Sequence, residues 1–278
     1  MADNDELIWD EFTHPDIAIA RHPCLLCREG KNYATLSLRS ERGQGVSIRW
    51  LRIFPYIYPM ENNLQQLYGH IDIYLFDQLL KGRFNDCKKV LDAGCGGGRN
   101  LVYFLQNGFD VFGIDPNPDA VAAAQALANE LAPGKPATNF ITCSAENMPF
   151  EDAAFDLVIC NAVLHFANDS NHFDAMLRGM WRVLKPGGYF FARLASDIGI
   201  ESLVIPLGNS RYVLPDGTEW FLVNEQILME YTGDLNGELY EPIKTTNVQN
   251  MRCMTTWCMS KGTTPAVKEA GAIEKNAF

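Results

Sequence analysis

Apolar residues repeat with two different spacings along the central part of the chain. From Met60 they recur every three or four positions, the spacing of one helix face, which predicts a helix that begins there. The residues with this spacing are Leu64, Leu67, Tyr68, Ile71, Leu75 and Leu79. Beyond Gly82, short apolar runs typical of buried strands alternate with stretches typical of helices.

The alternation after Gly82 predicts five strands with helices between them. The predicted strands are residues 89–93, 110–114, 140–143, 155–160 and 189–194. The predicted helices are residues 101–106, 118–131 and 173–184, and Asn117 caps the second of them, with Pro118 at its first position. Strands that alternate with helices form βαβ units, which predict a doubly wound, mostly parallel sheet buried on both faces.

The segment after residue 195 has a different pattern. Residues 214–218 predict a tight turn between two strands or a flap, and residues 224–231 predict a helix. Two more strands are predicted at residues 239–246 and 251–259, around a turn at residues 247–250. We therefore expect residues 196–231 to interrupt the sheet between its fifth and sixth strands and to form a lid or acceptor insert.

These patterns divide the chain into three parts. Residues 1–59 show no sustained period, so we expect a poorly ordered N-terminal extension, or one that does not belong to the native protein. Residues 60–260 form the predicted domain, and residues 261–278 predict a flexible tail. Peptides from upstream of Met60 in the native host's protein would exclude a natural start at Met60.

Two cysteines of the extension, Cys24 and Cys27, have the spacing of zinc ligands. Structural zinc sites have four ligands and usually draw them from two such pairs, whereas this chain has one pair, with His14 and His22 nearby. We therefore predict no metal site. Other cysteines lie in apolar runs and are expected to be reduced, buried thiols. Examples are Cys95, Cys143 and Cys160.

Composition and charge narrow the class of partner. The 278 residues include 23 Lys and Arg against 34 Asp and Glu, a formal net charge of −11 at pH 7. This charge argues against nucleic acid as the main substrate, because phosphate binding needs a positive surface. No apolar run approaches the ~20 residues that cross a bilayer, and the acidic start is unlike a secretory signal. We expect a cytoplasmic monomer or homodimer without a membrane partner.

The most informative segment joins the first predicted strand to the first helix after it. Residues 92–98 (DAGCGGG) contain glycines that let the backbone turn sharply and a ligand approach closely. A dinucleotide fingerprint has its third glycine where this chain has Arg99. Asp92 suits a cationic amino-acid ligand better than a pyrophosphate. Asp115, at the end of the next strand, can accept hydrogen bonds from both hydroxyls of a ribose.

This loop resembles motif I of the class I methyltransferases that use S-adenosylmethionine (SAM). Residues 143–150 resemble the family's adenine loop, residues 155–165 its fourth strand and exit loop, and residues 184–188 the turn before its fifth strand. The resemblance covers residues 90–194. It implies a Rossmann-like α/β fold with a seven-stranded sheet whose last strand is antiparallel, SAM as the cofactor, and methyl transfer to a small-molecule acceptor.

The resemblance also implies which residues contact the cofactor. They are Asp92, Ala93, Gly94, Cys95, Gly96, Gly98, Asp115, Pro116, Ser144, Ala145, Glu146, Asn161 and Ala162. Many relatives have an acidic residue where this chain has Ser144, and it contacts the adenine amino group. Here either Ser144 or Glu146 replaces that contact.

Within the family, the chain is most similar to the tellurite-resistance (TehB-like) methyltransferases. The similarity lies in residues 98–100, 107–111, 185–189 and 252–256. Relatives have an arginine beside the acceptor pocket at the position of Arg252. They also have a His-Arg pair that residues 242–244 (PIK) lack, so a tellurite- or selenite-like acceptor is one option among S, O and N nucleophiles.

Four residues are candidates for acceptor binding or chemistry. His165 follows the fourth strand at the crevice side of the sheet, and it either acts as a base or packs over the cofactor. Arg193 and Arg252 either bind an anionic acceptor or flank the sheet. Tyr68 either folds over the site or packs in the core.

Two other functions stay open at the level of sequence. One is a non-catalytic protein that binds SAM as a sensor or auxiliary subunit. The other is an NAD(P)-dependent oxidoreductase, against which Arg99 and the adenine-loop residues 144–146 both argue.

Overall fold

The computed structural model describes residues 64–134 and 136–263, and the structural statements below concern these residues. The Cys24–Cys27 pair, the hypothetical start at Met60 and the tail from residue 264 onwards lie outside them. Within the described ranges, no helix combines the length and apolar character needed to cross a membrane.

Eleven strands are found in the described residues. They are β1 (Lys89–Ala93), β2 (Asp110–Asp115), β3 (Phe140–Thr142), β4 (Phe155–Asn161), β5 (Leu184–Ser196), β6 (Ile205–Gly208), β7 (Arg211–Val213), β8 (Glu219–Phe221), β9 (Gly237–Leu239), β10 (Lys244–Val248) and β11 (Arg252–Lys261). The main sheet has the order β10-β11-β5-β4-β1-β2-β3, and β9 also pairs with β11. The five strands β3, β2, β1, β4 and β5 are parallel to one another, whereas β11 is antiparallel to both β5 and β10. The predicted doubly wound sheet with an antiparallel last strand is confirmed.

Helices cover both faces of this sheet. They are α1 (Leu64–Tyr68), α2 (Ile73–Leu80), α3 (Val102–Gln106), α4 (Pro118–Leu131), α5 (Ser170–Val183) and α6 (Glu225–Asp234). Alternate residues of the central strands enter two separate cores. Val90 and Ile159 pack with residues of α2, α3 and α4, while Leu91 and Val158 pack with residues of α5 and α6. The central strands are therefore buried on both sides, which explains their continuous apolar sequences.

The helix predicted from Met60 is divided in two in the structure. Gly69 adopts a left-handed backbone conformation, with φ of +61°, and α1 ends beside it. Asp72 then caps α2, because its carboxylate accepts hydrogen bonds from the backbone N–H groups of Tyr74 and Leu75. The apolar spacing continues through the break, so the pattern alone could not show it.

The strand predicted at residues 239–246 is likewise two strands, β9 and β10. Pro242 lies between them and lacks the N–H group that would continue a ladder. Other boundaries lie close to the predicted ones, but β5 begins at Leu184, before the predicted residue 189. Leu184 already pairs with Phe155, and an irregularity separates this pair from the rest of the ladder.

The insert after β5 forms a small sheet of its own. Strands β6, β7 and β8 are antiparallel and in that order, and the predicted turn at residues 214–218 joins the last two. Leu214 and Thr218 close this turn through a backbone hydrogen bond of 2.8 Å. A parallel bridge between Ser196 and Val223 connects the insert to the end of β5. The insert therefore lies at the carboxyl edge of the parallel strands, where ligands bind in doubly wound sheets.

Candidate active site

The glycine loop after β1 is held by the backbone of β2. The N–H groups of Gly94 and Cys95 both donate to the carbonyl of Ile114, at 2.8 and 2.9 Å. Gly94 has a φ of +85°, and a Cβ atom on it would lie 2.2 Å from Cγ2 of Val163. Glycine is therefore required here both by the backbone conformation and by the close approach of the loop after β4.

Asp115 connects the glycine loop with the start of α4. One carboxylate oxygen accepts a hydrogen bond from the N–H of Gly96, and the other accepts one from the N–H of Asn117, each at 2.9 Å. These bonds fix the carboxylate at the end of β2. A carboxylate has about four lone-pair sites, so it keeps the capacity to accept bonds from a ligand's hydroxyl groups.

A cleft of about 420 Å³ opens between these loops. Seven of the predicted cofactor contacts line it, namely Gly94, Asp115, Pro116, Ser144, Ala145, Glu146 and Ala162. Six further lining residues were not predicted, namely Ile114, Cys143, Val163, Phe166, His172 and Met176. His172 and Met176 are four residues apart on α5, so a helical projection of that segment would have placed them on one face.

Helix α5 holds the adenine-loop residues in place. The short 3-10 turn Ala145–Asn147 packs so closely on it that a Cβ on Gly179 would lie 2.3 Å from the carbonyl oxygen of Ala145. Arg182, one helical turn further on, donates to the carbonyl of Met148 at 3.0 Å. His172 lies 3.7 Å from the Glu146 carboxylate at the cleft. The cleft wall is therefore set by packing against α5 as well as by its own loop.

Two of the predicted contacts are buried polar groups behind the cleft. Asp92 is fully buried, and neither of its carboxylate oxygens has a hydrogen-bond partner in the described structure. Burial raises the pKa of Asp92 to about 7; the Arg99 cation opposes that shift and the Asp115 carboxylate adds to it. Both amide atoms of Asn161, at the end of β4, are likewise buried and unpartnered among the described residues. Such groups cost about 1–3 kcal/mol each unless a ligand or water satisfies them.

The remaining predicted contacts, Ala93, Cys95, Gly96 and Gly98, lie in the glycine loop but do not line the cleft. Cys95 is buried, and burial raises the pKa of its thiol far above the usual range. Gly98 has a φ of +85° and faces Leu127 and Ala124 of α4. These residues shape the loop from behind. In the described residues we find no group of three or more His, Cys, Asp and Glu that could hold a metal ion.

His165 lies behind the cleft lining, in an apolar environment. Its side chain is 2% exposed and packs between Phe166 and Trp220, whose ring centroids lie 4.6 and 4.5 Å away. Its Nδ1 accepts a hydrogen bond from the N–H of Ala195 at 3.4 Å, so the ring is neutral with its proton on Nε2. Burial lowers the pKa of His165 to about 4. A base this weak accepts a proton poorly at neutral pH.

The three predicted acceptor residues lie in different places. Arg193, at the end of β5, donates from Nη1 to the Asp72 carboxylate at 3.0 Å and packs over the Tyr74 ring. Arg252 is exposed, 3.8 Å from the Asp216 carboxylate in the β7–β8 turn. Tyr68 stacks on the ring of Tyr103, away from the cleft, at a centroid distance of 5.5 Å. The structure thus brings Arg193 alone of the three next to a predicted cofactor contact, because Arg193 and Asn161 are paired across β5 and β4.

The fold and the cleft together define a class of protein. A doubly wound sheet with a glycine loop after β1, and a carboxylate ending β2, is a Rossmann-like scaffold for a ligand that contains adenosine. The sequence of residues 91–192 matches the family described as methyltransferase domain.

Known relatives specify the family. A ubiquinone biosynthesis O-methyltransferase of Xanthomonas oryzae is 30% identical over 169 residues, which cover 55% of this chain and 67% of that enzyme. An uncharacterized methyltransferase of Synechocystis is 32% identical over 142 residues, covering 51% of this chain and 63% of that protein. The chain belongs to the class I SAM-dependent methyltransferases, and its cofactor is SAM. It spans slightly less than two thirds of the Synechocystis relative.

A solved structure supports the same fold. The SAM-dependent methyltransferase from Methanosarcina mazei superposes with a TM-score of 0.55 at 20% sequence identity. The superposition covers 67% of this chain and 98% of that one. At this level of identity the likeness concerns the architecture alone, and the contacts with cofactor and acceptor depend on this chain's own residues.

Proposed function

We infer that this chain transfers a methyl group from SAM to an S, O or N atom of a small acceptor. The observation that supports this most directly is the convergence of three separate segments on one cleft. The Gly94 loop, the Asp115 carboxylate and the turn at Ala145–Asn147 all line it, although they are far apart along the chain. Each of the three corresponds to a part of an adenosyl ligand.

The unpartnered groups around the cleft fit that cofactor. Asp115 would accept hydrogen bonds from the ribose hydroxyls, and Ala145 with either Ser144 or Glu146 would contact the adenine. Asp92, buried and unpartnered in the described structure, would face the ammonium group of the methionine part. Asn161 lies at the end of the adjacent strand and offers both a donor and an acceptor.

The protein's contribution to the reaction is orientation. When bound, SAM supplies a methyl group on a sulfonium, which is already activated for in-line transfer. The chain therefore has to hold the acceptor atom close and in line, and to exclude water. A base is needed only for an acceptor that must lose a proton. His165 is the predicted candidate, yet its burial and lowered pKa favour a packing role behind the cleft lining.

The acceptor side includes the end of β5, the insert at residues 196–231 and the start of β11. The printed name of the Xanthomonas relative specifies methylation at oxygen, which supports an oxygen acceptor as one option. The tellurite-resistance subgroup, with a tellurite- or selenite-like acceptor, stays a prediction. Contacts of Arg252 and Tyr68 with the acceptor also stay predictions. Neither residue lines the cleft.

Calorimetric titration of the full chain with SAM, S-adenosylhomocysteine (SAH) and NADH tests the proposal. We expect SAM and SAH to bind and NADH not to bind. Asp115→Ala should weaken SAH binding by about 10- to 150-fold, because it removes charge-assisted hydrogen bonds worth ~1.5–3 kcal/mol and releases the N–H of Gly96. Asp119→Ala, an exposed acid in the first turn of α4, is the matched control.

The outcomes separate the competing functions. NADH binding without SAH binding would overturn the proposal in favour of an oxidoreductase. Tight SAH binding with no methyl transfer to any member of a broad panel of thiols, phenols and amines would favour a non-catalytic SAM-binding protein. Transfer to any member, measured as SAH release and lost in Asp115→Ala, would establish the enzyme.

A further inference from the structure

A row of polar residues crosses the sheet beside the cofactor loop. Asn161 on β4 pairs with Arg193 on β5, and Arg193 pairs with Thr256 on β11. Residues paired in register lie on the same face, and this face is the one that α2 covers. We name Asn161, Arg193 and Thr256 the polar row. Its members are separated by long stretches of sequence, so no local motif reveals it.

Each residue of the polar row has at least one polar atom that is unsatisfied among the described residues. Both amide atoms of Asn161, Nε of Arg193 and Oγ1 of Thr256 are buried and have no hydrogen-bond partner in the described part of the chain. Asn161 and Thr256 are only 6% and 3% exposed. Buried polar groups in folded proteins are normally paired, so unpartnered atoms on three neighbouring residues indicate a site for a bound molecule.

The neighbouring hydroxyl groups show that this is a local feature. Thr255, one residue before Thr256, is bonded to the hydroxyl of Ser196 at 2.6 Å and to that of Thr245 at 2.7 Å. These three residues carry the same kind of polar group on the same part of the sheet, and each finds a partner. Among these neighbouring hydroxyl groups, the one without a partner in the described residues is that of Thr256, on the face under α2.

Arg193 is fixed from the side opposite its unpartnered Nε. Nη1 donates to Asp72, the residue that caps α2, and the guanidinium lies over the Tyr74 ring, 5.3 Å from its centroid. Tyr74 is itself anchored by a hydroxyl contact of 2.5 Å with Thr246 on β10. The Arg193 side chain keeps 19% of its surface exposed, although its Nε and the other unpartnered atoms of the row are buried. The Nε edge of a guanidinium held in this way presents donors to an incoming ligand.

We propose that the polar row binds a carboxylate group of the methyl acceptor. This inference rests on the proposed function and specifies its substrate class. Nε of Arg193, one N–H of the Asn161 amide and the hydroxyl of Thr256 can each donate one hydrogen bond, and a carboxylate accepts all three. The second N–H and the carbonyl oxygen of Asn161 stay available to the cofactor. Asp72 offsets part of the charge of Arg193, so the fixed donor geometry carries the recognition. Asn161 adjoins Ala162 of the cofactor cleft, which places the acid beside the cofactor.

The test compares acids with their primary amides, which have the same shape but no charge. Benzoate, salicylate, anthranilate, 4-hydroxybenzoate and lactate, each paired with its amide, are titrated calorimetrically into the full chain saturated with SAH at pH 7.5. We expect at least one acid to bind ten-fold or more tightly than its amide. An absence of any such preference across the panel would overturn the proposal.

Variants test whether Arg193 causes the preference for acids over amides. Arg193→Lys keeps the ion pair with Asp72 but loses the guanidinium edge, so we expect a ten-fold or larger loss of acid binding with SAH affinity within three-fold of wild type. Arg178→Lys, on the exposed surface of α5, is the matched control and should change neither. Acid binding that survives Arg193→Lys would refute the assignment. Failure of the wild type to bind SAH would instead refute the proposed function, and the same titrations without SAH would still test the polar row.

Discussion

The cofactor cleft and the polar row proposed to bind the acceptor are built in different ways. On the cofactor side, short continuous segments contribute mostly backbone, as in the Gly94 loop held by the carbonyl of Ile114. In the polar row, single side chains from β4, β5 and β11 meet across the sheet, and Arg193 of the row pairs with the cap of α2. A site made of backbone needs glycines at fixed positions and so leaves a motif, whereas a site made of distant side chains leaves none.

The largest predicted effect on the cofactor side is the loss of SAH affinity in Gly94→Ala. The new Cβ would lie 2.2 Å from Val163 Cγ2, and the residue would keep a φ of +85°. Overlap of this kind costs about 1–3 kcal/mol and the strained backbone about 1–2 kcal/mol more. We expect SAH affinity, measured by calorimetry, to fall by ~30-fold or more.

Gly96→Ala is the matched control for Gly94→Ala. It also has a positive φ, of +51°, but a Cβ there would meet no described atom within 4 Å. The backbone strain alone should weaken SAH binding by roughly five- to thirty-fold. Equal losses in the two variants would show that the approach of Val163 does not matter. Wild-type affinity in Gly94→Ala would remove the glycine loop from the cofactor site.

The second prediction uses the pH dependence of Asp92. Its folded-state pKa of about 7 is above the ordinary value of 3.8, so between these values the folded state holds a proton that the unfolded state has lost. The stability of the ligand-free protein should therefore fall as pH rises from about 4 to about 7 and then level off. In the proposed cofactor site the ammonium group favours the ionised Asp92 carboxylate, so SAH affinity should rise over the same range by up to ~10-fold per pH unit.

Titrations between about pH 5.5 and 7.5 check this prediction. Asp92→Asn should abolish the rise in SAH affinity, because the amide does not titrate. His165 does not contribute to this pH dependence, because its pKa of about 4 leaves the ring neutral throughout the range. An Asp92→Asn variant that keeps the wild-type slope would show that Asp92 does not face the ammonium group.

The same contrast explains how much the sequence could predict. The strand–helix alternation predicted the sheet, and the loop motifs predicted seven residues of the cleft lining. The break at Gly69 was missed because the apolar spacing runs through it. Asp72 and Tyr74 were missed as partners of Arg193 because only the folded chain brings the cap of α2 over β5. Tertiary pairing of single polar residues has no periodic signature, so the strand register that creates it is visible only in the structure.

Helix α5 lines the cleft through His172 and Met176 and also packs against the turn Ala145–Asn147, and its Gly179 gives the smallest predicted effect. Alanine in place of a helical glycine normally stabilises a helix by about 0.5–1 kcal/mol. At Gly179 this gain competes with a Cβ placed 2.3 Å from the carbonyl oxygen of Ala145, an overlap that costs about 1–3 kcal/mol. The cost of the overlap exceeds the gain in helix propensity, so Gly179→Ala should lower the free energy of unfolding by about 1–2 kcal/mol. It should also weaken SAH binding a few-fold, because it displaces the turn Ala145–Asn147 at the cleft.

Gly233→Ala in α6 isolates the gain in helix propensity, because a Cβ there meets no described atom within 4 Å. Urea unfolding should show it to be more stable than wild type by ~0.5–1 kcal/mol, with SAH affinity unchanged. If the two variants change the free energy of unfolding in opposite directions, α5 is in tight contact with the turn Ala145–Asn147. The backbone of the cofactor site then depends on one helix position that is distant in sequence. If Gly179→Ala stabilises the protein as Gly233→Ala does, the turn can move away from α5 without loss, and the cofactor side is set by its own loops alone.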